Sequence, residues 1–174
     1  MTTLRLPVFT FSLLLLALVG CDKGSAATPE QVRAKAQECA DAMLKGDYAK
    51  VVDLTHPKLV AGVGGRQKMI DILAEGVAQA KAHQSALVSY KAQAPSEILG
   101  SGLDLVAVVP TALEMKTPKG TVKQSEYVLA VSSDAGRNWT FVDGGGLTPE
   151  TLKSVVPNPP KELKLPGRQA PVME

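Results

Sequence analysis

The chain is poor in the residues that most often build metal sites and disulfides. Its 174 residues include two cysteines, two histidines and one tryptophan, and aromatic residues make up only 4% of the chain. The two histidines, His56 and His83, stand alone in the sequence, and no Cys/His cluster has the spacing of a metal site. The sequence therefore predicts no metal ion and no other cofactor.

The charge of the chain is nearly balanced. There are 19 Lys and Arg residues against 17 Asp and Glu residues, for a formal net charge of +2. Proteins that bind nucleic acid usually carry a dense basic stripe that neutralises phosphates. This sequence has no such stripe, so we do not expect nucleic acid as a partner.

One long apolar run stands out at the N-terminus. Arg5 is the only charged residue before position 21, and residues 6–19 form an uncharged, Leu-rich segment that ends at the small residue Gly20. A charged start, an apolar middle and a small residue at the end are the pattern of a secretory signal. The run is shorter than the roughly 20 residues that a membrane-spanning helix needs.

The end of this run, Leu18-Val19-Gly20-Cys21, resembles the lipobox of bacterial lipoproteins. The resemblance implies that the Cys21 sulfur receives a diacylglyceryl group, that cleavage makes Cys21 the first residue, and that its amino group is then acylated. Two or more acyl chains anchor a protein stably, whereas one binds weakly. We therefore expect the lipid bilayer as a partner, and a domain that faces the periplasm.

Asp22 resembles the signal that retains enterobacterial lipoproteins in the inner membrane. The alternatives are an ordinary signal peptide with Cys21 as a bystander, or a short membrane anchor.

The rest of the chain predicts one domain on a short tether. We assign residues 1–20 to the signal peptide, 21–28 to the tether, 29–156 to the domain and 157–174 to a Pro-rich tail that is extended or disordered. From residue 21 to 27 an extended chain reaches only about 23–25 Å. The domain is therefore expected to stay close to the bilayer.

The first half of the domain predicts three helices. Thr28 and Gln31 form a capping box for the first helix, and Gly46 is placed to end it. A second helix starts at Asp47 and is stopped by Pro57. A connector over residues 57–65, with a brief strand at residues 59–60, leads to a third helix over about residues 67–83.

The second half predicts an antiparallel sheet of about four strands. Strand patterns cover residues 87–92, 103–116, 122–132 and 138–143, and Gly- and Pro-rich turns separate them. Pro110 marks a bulge or an edge in the second strand. A short helix capped by Thr148 follows the last strand. Helices followed by a meandering sheet predict an α+β fold.

At this level the chain resembles the nuclear-transport-factor-2-like (cystatin-like) superfamily. The resemblance lies in three loosely specific segments, namely Leu44-Lys45-Gly46-Asp47-Tyr48, Thr55-His56-Pro57, and Asn138-Trp139-Thr140-Phe141-Val142-Asp143-Gly144, with Gly64-Gly65 before the third helix. It implies a curved sheet and helices that together form a cone, often around a pocket. Members include isomerases, dehydratases, ligand binders and assembly domains, so the fold does not select a function.

Five residues are candidates for a site. Asp53 and His56 are three positions apart, which allows a carboxylate–imidazole pair on one helix face, and Tyr90 is the third catalytic candidate. The alternative for Asp53 and His56 is that they serve as helix caps or as solvent-facing groups. Trp139 and Phe141 are candidates for lining a binding pocket, with a place in the core as the alternative.

Three functions are compatible with these sequence features. The first is a membrane-anchored binding or interaction module for a small apolar ligand or an envelope protein. The second is a pocket enzyme of the isomerase or hydrolase type. The third is a structural envelope homodimer.

The lipid anchor is directly testable. We expect a bacterium that expresses the full chain with radiolabelled palmitate to label the protein, and Cys21→Ser to abolish the label, because the sulfur and the new amino terminus are both lost as acceptors. Cys39→Ser is the matched control and should keep the label. Labelling that persists in Cys21→Ser would contradict the lipobox interpretation.

Overall fold

The computed structural model describes residues 27–174, so the leader and Cys21 lie outside the described residues. The chain forms an α+β fold in which several helices pack on a curved antiparallel half-barrel sheet. The helices are α1 (Pro29–Lys45), α2 (Tyr48–Leu54), α3 (Pro57–Gly62), α4 (Arg66–Ala82) and α5 (Pro149–Val155). The strands are β1 (Ala86–Ala92), β2 (Leu99–Ser101), β3 (Asp104–Thr117), β4 (Gly120–Ser132), β5 (Thr140–Asp143) and β6 (Val172–Met173).

The first helix has the caps that its sequence predicts. The Thr28 hydroxyl accepts a hydrogen bond from the Gln31 N–H at 3.3 Å, and the Gln31 side chain accepts one from the Thr28 N–H at 2.9 Å. Gly46 ends the helix at φ 74°, a left-handed conformation that glycine adopts without strain. Asp47 then caps α2 by accepting a hydrogen bond from the Lys50 N–H. These two boundaries confirm the predicted caps.

The prediction for the segment after α2 is wrong. Pro57 does not begin a connector: it is the first residue of the short helix α3, so four helices precede the first strand instead of three. Residues 59–60, predicted as a brief strand, lie inside this helix. The physical reason is that proline breaks a helix from within but suits its first turn, where no backbone N–H is needed. The N–H of Lys58 donates to the His56 ring, which caps the new helix.

The sheet is built on the hairpin of β3 and β4. These strands pair antiparallel along their whole length, from Leu105 opposite Ser132 to Thr117 opposite Gly120. The strand order is β1-β3-β4-β5, with β2 also on β3 and β6 also on β4. Pro110 lies on β3 between the stretches paired with β1 and β2. Its carbonyl accepts from the Gln93 N–H at 2.9 Å just past the end of β1, and proline has no N–H to return that bond, so it stands where the ladder with β1 ends.

Alternate residues of the central strands enter two separate cores. On one side, Ala107 and Val109 pack with α1, α2 and the aromatic residues of the last hairpin. On the other side, Val106 and Leu129 pack with α5 and with the tail. The period of two along a strand explains this division, because successive side chains point to opposite faces. Both faces of the sheet are therefore covered.

The Pro-rich tail forms part of this second layer. Leu163 and Leu165 pack against the second core, and the Arg168 guanidinium donates to the Gly145 carbonyl at 2.6 Å. The chain is extended here, as its prolines require, and it returns to the sheet as β6. There, Thr121 and Glu174 exchange two backbone hydrogen bonds of 3.1 and 2.9 Å.

The burial of the central hairpin predicts which leucine is costly to lose. Leu129→Ala is expected to lower the free energy of unfolding by about 2–5 kcal/mol, because Leu129 is fully buried and truncation leaves a cavity. Urea denaturation measures the change. Leu103→Ala is the matched control: Leu103 is 62% exposed, so the expected change is within about 0.5 kcal/mol. Similar losses in the two variants would contradict the assignment of the core.

Candidate functional site

The three catalytic candidates are not brought together. Asp53 lies on α2, His56 lies beside β5, and Tyr90 lies on β1 at the other end of the strand order. No hydrogen bond joins any two of them among residues 27–174. The predicted pair of Asp53 with His56 does not form, because each side chain has another partner.

Asp53 is an exposed partner of an arginine. Its two carboxylate oxygens accept hydrogen bonds of 2.9 and 3.2 Å from the Arg66 guanidinium at the start of α4. This contact lowers the pKa of the Asp53 carboxyl. Both side chains are about half exposed, so the pair joins two helices at the surface. An ionised, exposed carboxylate of this kind has no feature of a general base.

His56 is a helix cap that also borders a cavity. Its backbone N–H donates to the Phe141 carbonyl at 3.0 Å, and its ring Nδ1 accepts from the Lys58 N–H at 3.3 Å. Burial, and then the positive charge of Lys58, lower the pKa of the imidazole below its usual value. The ring is therefore neutral at pH 7, as an acceptor must be.

Tyr90 is a half-buried residue on the side of the sheet that faces α1. Burial raises the pKa of its phenol, and the nearby Cys39 thiol and the carboxylates of Asp143 and Glu126 act in the same direction. Burial also raises the pKa of Cys39, to about 11, so this cysteine is an unreactive thiol. Beside these groups Thr111 is buried, and its hydroxyl makes no hydrogen bond within the described part of the chain. This is a polar cluster without a formed nucleophile–base pair.

Trp139 and Phe141 are core residues. They are only 4% and 5% exposed and belong to the core between α1 and the sheet. Trp139 also borders a cavity, and its indole N–H is buried without an acceptor among residues 27–174. Phe141 does not line that cavity.

A large cavity lies on the other side of the sheet, near α5. It has a volume of about 820 Å³ and is called the α5 cavity below. Its apolar lining combines the ends of the central strands with the end of α5 and the residues that follow it, namely Leu105, Val106, Val131, Val155, Val156, Pro157 and Pro160. Polar groups line its rim, namely His56, Lys58, Asp104, Ser133, Asp134 and Asn138.

Two contacts hold the rim of the α5 cavity in place. Asp134 accepts hydrogen bonds from the backbone and side chain of Asn138, at 2.9 and 2.6 Å, and from the Ser132 hydroxyl at 2.8 Å. These bonds, the Asn138 backbone first, lower the pKa of Asp134 to about 2. On the opposite rim, the Lys58 ammonium donates to the Ser154 carbonyl near the end of α5. Polar groups held by hydrogen bonds therefore lie on both sides of the mouth of the α5 cavity.

Sequence reasoning identified only one residue of the α5 cavity, His56, and for another role. The apolar residues that line it look like ordinary strand and helix residues in the sequence. They form a cavity because the tail turns back over the sheet after Pro157. In the sequence, the run of prolines is the feature that bears on this turn. Prolines indicate that the chain is extended, but they do not indicate where the extended chain packs.

Comparison with known proteins adds no assignment. The chain matches no family model, no curated protein and no solved structure at a significant level. Within residues 27–174, no helix is long and apolar enough to cross a membrane. The same residues contain no group of three or more His, Cys, Asp or Glu side chains arranged to hold a metal ion.

The neutral state of His56 predicts a pH dependence of stability. The folded protein binds the imidazole proton less readily than the unfolded chain, whose pKa is about 6.5. Stability should therefore fall as the pH drops below about 6.5, until the folded imidazole is itself protonated. His56→Asn keeps a good cap and should reduce this loss between pH 7.5 and 5.5, measured by urea denaturation. His83→Asn, at an exposed position after α4, is the control and should leave the loss unchanged; an equal effect of the two would show that His56 is not its source.

Proposed function

We propose that the protein is a lipid-anchored lipoprotein of a bacterial cell envelope whose domain binds a small, largely apolar molecule in the α5 cavity. Cys21 carries the anchor, and the bilayer is the partner of that anchor. The domain faces the periplasm, with Asp22 favouring the inner membrane. The observation that supports binding is the size and apolar lining of the α5 cavity.

The dimensions of the cavity suit a ligand of drug-like size. Pockets for small molecules usually enclose about 300–1,000 Å³, have mostly apolar walls and carry a few polar groups that fix orientation. The α5 cavity falls within this range at about 820 Å³. Its apolar wall supplies the area that a ligand buries, at about 25 cal/mol per Å².

The polar rim supports a ligand with one hydrogen-bonding end. Neutral His56 uses its Nδ1 within the cap, which leaves Nε2 as the ring atom that can meet a ligand. Asn138 donates a side-chain N–H to Asp134, which fixes the position of its amide at the rim. A ligand with a hydroxyl or carbonyl group at one end and an apolar body fits this division.

We further propose that the domain belongs to the nuclear-transport-factor-2-like superfamily. Helices that precede a curved antiparallel sheet, with α1 lying across the sheet, support this proposal. The central contact is between α1 and β1: the Gln37 side chain accepts from the Ala92 N–H at 2.8 Å and donates to the Tyr90 carbonyl at 3.1 Å. A helix is thereby fixed to the edge of the sheet.

A pocket enzyme is the alternative function, and one observation favours it. The half-buried phenol of Tyr90 lies near the carboxylates of Glu126 and Asp143, and perturbed ionisable groups gather at catalytic sites more often than elsewhere. An enzyme of this fold would have to use that cluster, because Asp53 and His56 do not pair. The third proposal, a structural homodimer, draws on the exposed apolar side chains of Ile72 and Val88.

A cavity-filling variant tests the proposed binding. With a chain that starts at residue 22, the fluorescent apolar probe N-phenyl-1-naphthylamine is expected to bind at one saturable site. Val156→Phe should weaken this binding at least about tenfold, because the larger ring occupies the α5 cavity.

The matched control places the same substitution elsewhere. Val88 is 43% exposed on β1 and is not part of the α5 cavity, so Val88→Phe should leave probe binding unchanged. Circular dichroism would verify that both variants fold. Equal binding by Val156→Phe and the unsubstituted chain would refute the assignment of the ligand to this cavity.

A further inference from the structure

The end of the Pro-rich tail lies on the surface of the domain without burying a side chain. Leu163 and Leu165 are half-buried against the second core, but every residue from 166 to 174 is exposed. The two side chains of β6, Val172 and Met173, keep 60% and 56% of their surface open to solvent. Residues 166–174, called the tail end below, can therefore leave the sheet without opening either core.

The contacts that hold the tail end are hydrogen bonds and an ion pair at the surface. Thr121 and Glu174 exchange backbone hydrogen bonds, and the Lys123 ammonium meets the Glu174 carboxylate at 2.6 Å. Upstream, the Arg168 guanidinium donates to the Gly145 carbonyl at 2.6 Å. Water competes for all of these groups, so each contact stabilises the attached state only slightly. The tail end is therefore held weakly, although its register is defined.

The surface that receives the tail end is the part of the β4 edge that β5 leaves uncovered. β5 pairs with residues 128–131, so within the described chain residues 121–123 are paired on this side by the tail end alone. At Gly120 the two backbones come close: a Cβ atom there would lie 2.5 Å from the Glu174 backbone oxygen. Backbone pairing does not require that the incoming strand belong to the same molecule.

Two carboxylates mark the place of Arg168. An oxygen of Asp143 and an oxygen of Glu126 lie 3.2 and 3.6 Å from the position that a Cβ atom would take on Gly145. The Arg168 Nη2 lies 3.7 Å from the same point, so the guanidinium stands beside both carboxylates. Arg168 precedes the first residue of β6 by four positions. The edge therefore accepts a segment with an arginine, then a short strand, then an acidic residue that reaches Lys123.

We propose that the tail end is exchanged between two copies of the chain, so that the tail end of each copy pairs with the β4 edge of the other. A second copy is the occupant because its tail end repeats the arginine, the strand and the acidic residue in the register already seen. Gly167 is the pivot, since it is exposed and a Cβ atom there would meet no other atom within 4 Å. Residues 168–174 reach about 23 Å when extended, which spans the gap to an adjacent domain.

The exchanged and closed forms contain the same contacts of the tail end. The concentration of the chain therefore decides which form prevails. A reciprocal exchange has twofold symmetry and leaves neither β4 edge unpaired. This inference does not depend on the α5 cavity or its ligand, and it gives a homodimer an interface other than the exposed side chains of Ile72 and Val88.

Two cysteine variants test the exchange. Val122 and Met173 are opposite each other, next to the hydrogen-bonded pair of Thr121 and Glu174, so their side chains are close enough for a disulfide. A chain that starts at residue 22 and carries Val122→Cys is mixed at high concentration with an isotope-labelled chain that carries Met173→Cys, and the mixture is oxidised. We expect a disulfide-linked dimer of one labelled and one unlabelled chain, identified by mass spectrometry.

A matched control measures chance collisions. Leu103→Cys replaces Val122→Cys in the mixture, because Leu103 is 62% exposed but lies at the other end of the β3–β4 hairpin. The mixture with Val122→Cys should give at least about five times more mixed dimer than this control, because pairing holds the two thiols together. Cys39 is common to all of these chains, and burial raises its pKa to about 11, so it competes little for oxidation.

Arg168→Gln distinguishes exchange from a looser association. In the chain with Met173→Cys it weakens the incoming tail end against the intact one of the other chain, so the yield of mixed dimer should fall about fivefold. In the chain with Val122→Cys it weakens the resident tail end, so the yield should rise. Lys164→Gln, at an exposed lysine just before the tail end, is the control and should change neither yield.

Three results would overturn the proposal. One is a yield of mixed dimer no higher than that of the Leu103→Cys control. Another is a change of the same sign when Arg168→Gln is placed in either chain. The third comes from a chain that carries both Val122→Cys and Met173→Cys: if it forms no internal disulfide at low concentration, β6 does not pair with β4 and the exchange has no basis.

Discussion

The pairing of β3 with β4 is the contact on which the rest of the molecule depends. Every other strand attaches to one of these two, and both cores contain their side chains. The two-residue loop of Pro118 and Lys119 closes this hairpin, and the Thr117 hydroxyl donates to the Gly120 carbonyl at 2.9 Å across it. Local closure of so long a pair costs little chain entropy compared with joining distant strands. The remaining strands and helices then pack on the surface that this hairpin already presents.

Because the hairpin is covered on both faces, its edges and ends are where space remains. The α5 cavity lies at the ends of the central strands, where the chain leaves α5 for the tail. Its rim carries charged groups, Lys58 and the ionised Asp134 among them, beside the neutral ring of His56.

The parts of the fold that depend on interactions between near neighbours in the sequence were the easiest to predict. Thr28, Gln31 and Gly46 act within a few residues, so the ends of α1 could be predicted from the sequence alone. The period of the central strands was equally clear, and β3 and β4 agree with it. Pro57 was ambiguous because proline both stops one helix and starts another, and the choice depends on the residues after it.

The candidate site was less predictable, for a physical reason. Asp53 and His56 share a helix spacing, but Arg66 reaches Asp53 from another helix, and no local pattern reveals that contact. Trp139 was identified as a pocket or core residue and is in the core, whereas its unpaired indole N–H is visible only in the structure.

The short strand at residues 172–173 protects a vulnerable part of the sheet. β5 pairs with only part of β4. Without β6, the rest of that edge would present unpaired amide and carbonyl groups, to which strands of other molecules can pair. The tail occupies this edge with its own backbone, and the Lys123 ammonium meets the Glu174 carboxylate there at 2.6 Å. A chain cut back before this strand would keep both cores but expose a template for self-association. The last residues of the tail therefore contribute more to the solubility of the domain than to its folding.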